Sequence, residues 1–74
     1  MKTTKAQLAA YLNMEVHYMQ RAFEVSHLDR YNVQCAIQRC LGACYMAQYM
    51  GLSYEEAEEL YLNARQILEG LCNE

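Results

Sequence analysis

The chain has 74 residues, a formal net charge of −3, 54% hydrophobic and only 20% charged residues, and no proline. That length allows a single domain spanning 1–74, which buries about 60% of its unfolded surface on folding and is only marginally stable by itself; the composition excludes a disordered tail. Charge is unevenly divided: residues 1–39 carry five Lys/Arg against three Asp/Glu, a net +2, whereas residues 40–74 carry one against six, a net −5. The C-terminal half is therefore repelled by nucleic acid and by phospholipid head groups.

The first helix is expected over 5–24. Thr4 followed three residues later by Gln7 fits a capping box, in which one side chain accepts from a free backbone N–H and the other reaches back. The opening run "MKTTKAQLAAYLNMEV" contains no apolar core of signal-peptide length, and no later run approaches the roughly 18 apolar residues that span a bilayer. A cytoplasmic protein without a membrane partner is expected, with its four cysteines as free thiols.

The second helix is expected over 27–50, with Ser26 and Asp29 as its start signal and Gly51 as its stop. Val33, Ile37, Cys40, Cys44 and Ala47 form one apolar stripe on it. Tyr31, Tyr45 and Tyr49 gather around Gln38 on nearly the opposite side. A helix with contact-worthy surface all round is either the centre of a bundle or part of an oligomer interface, and three helices are too few to wrap it. Tyrosine presents a large amphipathic area and is enriched in interface cores, so Tyr31, Gln38, Tyr45 and Tyr49 are the candidate partner surface.

The third helix is expected over 54–71. Ser53 with Glu56 fits a second capping box, and Leu52 with Ala57 a hydrophobic staple. Ala57, Leu60, Tyr61, Ala64, Ile67, Leu68 and Leu71 share one face, opposite Glu55, Glu59, Gln66 and Glu69. The glutamates of its first two turns suit the positive end of the helix dipole and read as a solvated face. The three elements together make an all-α fold, a small three-helix bundle.

Three of the four cysteines fall within "CAIQRCLGAC". A metal site needs thiolates that converge on one ion, usually from C-x2-C knuckles in loops. Within a helix Cys40 and Cys44 share a face, but Cys35 points about 140° away from Cys40, so one ion cannot take all three. Cys40 and Cys44 paired with Cys72, His17 or His27 remain geometrically open; packing as small hydrophobes explains them with less. No Ser/His/Asp set, phosphate-binding glycine loop or activated nucleophile is legible. No catalytic residue, metal or cofactor is therefore assigned.

The stretch "QLAAYLNMEVHYMQRAF" resembles the helix-turn-helix of bacterial DNA-binding proteins. Leu8, Ala9 and Leu12 match the apolar positions of the family's first helix, Asn13 stands at the turn, and Met14, Met19 and Phe23 match the apolar positions that follow. The resemblance implies a first helix broken near Asn13, a recognition helix over Glu15 to Phe23, and His17, Tyr18, Gln20 and Arg21 facing the DNA groove. The same pattern recurs over "MAQYMGLSYEEAEELY", where Glu55, Glu56, Glu58 and Glu59 oppose a phosphate backbone. Two functions follow as expectations. The leading one is a non-enzymatic helical protein that acts through protein–protein contact, as a homodimer or as a regulator or inhibitor of a larger partner. The alternative is a helix-turn-helix transcriptional regulator that binds nucleic acid.

Overall fold

The computed structural model describes residues 3–26 and 29–72. Within them lie three helices, α1 (Lys5–Val25), α2 (Arg30–Tyr49) and α3 (Tyr54–Gly70), packed as a three-helix bundle that measures 39 × 17 × 15 Å. Among the described residues there is no strand, and no helix is long and apolar enough to cross a membrane.

Local chemistry sets each helix start. At α1 the Gln7 N–H donates to Thr4 Oγ1 (3.1 Å) and the Thr4 N–H donates to Gln7 Oε1 (2.9 Å), completing the expected box. At α3 the expected second box is only half formed: the Glu56 N–H donates to Ser53 Oγ (3.2 Å), but the Glu56 carboxylate accepts from the Ser53 hydroxyl (3.0 Å) and not from its backbone N–H. Between α2 and α3 the chain turns through Gly51 at φ 110°, a left-handed conformation that L side chains resist. The Leu52 N–H reaches Ala47 O (2.9 Å) and the Gly51 N–H reaches Gln48 O (3.0 Å), the paired bonds of a Schellman stop.

Two further expectations, on helix boundaries, need correction. α2 is capped by Asp29 rather than entered at Ser26: the Asn32 N–H donates to Asp29 Oδ1 (3.1 Å), and the Asp29 N–H donates to Asn32 Oδ1 (3.2 Å). Ser26 instead closes α1, its N–H and hydroxyl both donating to Ala22 O. The expected start at 27, and His27 itself, lie outside the described residues. The second correction is at Asn13, where α1 runs on without a break. Leu8, Leu12, Val16 and Met19 follow each other at helical spacing on one buried stripe, and a turn at Asn13 would rotate its second half off the core. Asn13 lies on the solvent side of that stripe.

The core forms where the three stripes meet. From α2 it takes all five expected residues, Val33, Ile37, Cys40, Cys44 and Ala47, and also Ala36. From α3 it takes Ala57, Ala64 and Leu68, with Leu60, Tyr61 and Leu71 packed at its margin. Ile67, expected on this face, is half-exposed because it sits at the edge of the arc that Ala64 and Leu68 centre. Each fully buried Leu, Ile or Val contributes about 1.5–3 kcal/mol from removal of its apolar area from water. Among the described residues no buried side-chain N or O atom lacks a hydrogen-bond partner. α2 and α3 share the most extensive contact, α1 and α2 the least, which leaves a groove between the latter two.

Candidate protein-interaction face

Tyr31, Gln38, Tyr45 and Tyr49 follow one another by seven, seven and four residues on α2, spacings that return a helix to nearly the same line. The core stripe occupies the opposite side of α2, so this line points outward, and its tyrosines are 72%, 62% and 87% exposed. Gln38 is exposed with them, and the exposed Gly42 lies on the same line. Hydrogen bonding with the Cys35 thiol, one turn along, raises the pKa of the Tyr31 phenol. No charged residue occupies the line between Tyr31 and Tyr49.

Arg39, toward the α1 side, is committed to Glu15. Its Nε donates to both carboxylate oxygens (3.1 and 3.0 Å) while Nη2 lies 3.0 Å from Oε2, a forked contact that ties α1 to α2. The Tyr11 hydroxyl donates to the same carboxylate at 3.5 Å; burial, and then the charge of Glu15, raises the pKa of that phenol. Below this pair the α1/α2 groove, about 410 Å³, is lined by Leu8, Tyr11, Ala43, Met46, Ala47 and Met50, with Thr3 and Gln7 at its rim.

His17, Tyr18, Gln20 and Arg21 are all exposed. Because α1 is unbroken they fan over about 160° of its circumference instead of heading a separate recognition helix, and Arg21 lies 4.0 Å from Glu24. The turn that the helix-turn-helix resemblance requires is missing from α1, and Met14, assigned an apolar packing position by that resemblance, is 70% exposed.

All four cysteines are free. Cys40 and Cys44 sit in the core beneath the tyrosine line, where burial, then the charges of Glu15 and Cys44, push the Cys40 thiol up to about 11; burial also raises Cys44. Both are protonated packing groups at neutral pH. Cys35 faces away from them, and the half-buried Cys72 lies beyond the end of α3, beside Arg30 and Glu69. Among the described residues no three His, Cys, Asp or Glu side chains are placed to hold a metal ion.

One feature was not legible in the sequence. Between α2 and α3, Tyr45 and Gln48 face Tyr54, Glu58 and Tyr61 across a cleft of about 200 Å³ whose apolar wall is supplied by Leu41, Cys44 and Leu62. The Glu58 carboxylate, one turn along α3, raises the pKa of the Tyr54 phenol. The i, i+4 and i, i+7 spacing of Tyr54, Glu58 and Tyr61 places them on one line of α3; the part played by Tyr45 depends on how α2 lies against α3.

Compared with known protein families, curated proteins and solved structures, the chain matches none.

Proposed function

We propose that this is a non-enzymatic helical protein that acts through protein–protein contact, with the outward line of α2 as its contact surface and a second copy of the chain as its partner. The observation that supports this reading is the row of exposed tyrosines on a helix whose opposite side is already fully used by the core. Exposed phenols on an ordered helix supply contact area at small entropic cost, since tyrosine has few rotatable bonds to immobilise. Charge favours a second copy. A two-fold contact sets each side chain against the same surface of its twin, so the face must not repel itself, and this line carries no charge between Tyr31 and Tyr49. The exposed side of α3, with Glu55 and Glu59, would meet like charge.

α2 is about 30 Å long, enough to seat a partner helix along its whole length. Sedimentation or light scattering of the protein and of Gln38→Lys tests the proposal. Lysine at the middle of an exposed line leaves the fold intact and brings two like charges together in a symmetric contact. The wild type is expected to be at least a dimer at micromolar concentration and the variant to fall toward the monomer. A wild type that remains monomeric leaves the tyrosine line to a foreign partner, as a regulator or inhibitor would use it.

A further inference from the structure

The cleft between α2 and α3 has a composition that the contact surface does not require. Tyr45 comes from one helix and Tyr54 and Tyr61 from the other, and the half-buried Glu58 stands among them. The electron-rich faces of phenol rings attract organic cations, and a carboxylate beside them adds direct charge attraction. Most neighbouring glutamates are already engaged: Glu59 lies 3.7 Å from Lys5, Glu69 pairs with Arg65, and Glu56 is bonded to Ser53, while Glu55 is exposed and lies outside the cleft lining. Among the described residues Glu58 has no basic group within ion-pair distance, and its neighbour in the cleft is the Tyr54 phenol. Arg65, one turn beyond Tyr61, pairs with Glu69 and also interacts with the Tyr61 phenol at the edge of the cleft, so the open side of the site is the one formed by Tyr45, Tyr54 and Glu58.

Size narrows the occupant further. Clefts that hold drug-sized ligands run to roughly 300–1,000 Å³; this one, at about 200 Å³, suits a single side-chain head. We propose that the Tyr45–Tyr54–Tyr61–Glu58 cleft is a binding site for one organic cation, a guanidinium or alkylated ammonium group. The site goes beyond the contact proposed for α2 and does not depend on it, although Tyr45 borders both.

The test is a titration of the isotope-labelled protein with methylguanidinium chloride and with tetramethylammonium chloride, followed by NMR, with sodium chloride at equal ionic strength as reference. Saturable shifts with a millimolar Kd are expected at Tyr45, Gln48, Tyr54, Glu58 and Tyr61, and not at Tyr31 or Tyr49. Glu58→Gln, which keeps shape and removes charge, should weaken binding about tenfold. Tyr54→Leu should weaken it as well, and circular dichroism should show both variants folded. Shifts no larger than those given by sodium, shifts spread along all the glutamates of α3, or affinity unchanged in Glu58→Gln would each overturn the site. The same samples identify the source of the cation. Movement of these resonances when the protein is concentrated without probe points to a basic side chain of a second copy, and movement only with probe points to a free or foreign cation.

Discussion

The two sides of α2 are built from the same twenty residues and meet opposite demands. Inward, Val33, Ala36, Ile37, Cys40, Cys44 and Ala47 are all small or medium apolar side chains, and each is nearly inaccessible to water. Outward, around Gln38 and Gly42, the large side chains Tyr31, Tyr45, Tyr49 and Met46 stand exposed. In a helix that served only to close its own bundle, size would run the other way, with bulk in the core and short polar groups outside. Small inward residues let α2 approach α1 and α3 closely, and large outward ones leave contact area unspent. α3 shares part of this inversion, with Ala57 and Ala64 buried and Tyr54, Leu62 and Ile67 exposed, but its outer side also carries Glu55 and Glu59, whereas the outward line of α2 is uncharged.

The contrast is broken most forcefully from the inside. Ile37→Ala removes the largest inward side chain of α2 and should cost about 2–5 kcal/mol of stability, read as a fall in Tm and in the denaturation midpoint. Tyr49→Ala, on the outer line, should change monomer stability by no more than about 0.5 kcal/mol. Equal losses in the two variants would remove the distinction between the faces.

A smaller effect is expected from the thiols. Replacing Cys40 and Cys44 together by alanine should cost about 1–3 kcal/mol through lost packing, and the cost should be the same with zinc or with chelator. A melting temperature that falls on adding chelator to the wild type, and not to the double variant, would instead make the pair a ligand site. The raised Cys40 pKa adds a pH signature. Between the ordinary thiol value of 9.0 and about 11 the unfolded chain has released this proton while the folded chain still holds it. Stability from this group is therefore complete below pH 9 and lost as pH rises toward 11, a slope that the double variant should lack.

The smallest change sharpens the comparison most. A Cβ added at Gly42 meets no atom within 4 Å, so Gly42→Ala should raise monomer stability by about 0.5–1 kcal/mol through helix propensity. If a second helix lies against this line, the same methyl group stands in the contact and association should weaken while the monomer gains. Stabilisation with no change in association would place any contact away from Gly42.

Most of the architecture could be read from side-chain spacing, because capping and amphipathic periodicity are local. The Thr4/Gln7 box, the Gly51 stop and the α2 core stripe needed only near neighbours in sequence. The entry to α2 was misread for a local reason: Asp29 and Asn32 form the reciprocal pair with two short side chains, where Glu or Gln is usual at the second position. At Asn13 the uninterrupted stripe from Leu8 to Met19, which predicts one helix over 5–24, describes α1, and the turn implied by the helix-turn-helix resemblance is not there. The tyrosine line was visible as a period. The cation cleft was not, because it depends on the placement of Tyr45 of α2 against Tyr54 and Tyr61 of α3, which no spacing along one chain segment reveals.

The most direct test of the α2 contact surface is the mass of the protein in solution, measured by light scattering across a wide concentration range for the wild type and for Gln38→Lys. The expected result is a wild-type mass of at least twice the 8.6 kDa chain at micromolar concentration, falling toward one chain in the variant with unchanged helicity. A wild type that stays at one chain mass throughout, or a variant that associates as strongly as the wild type, would contradict self-association through the outward line of α2.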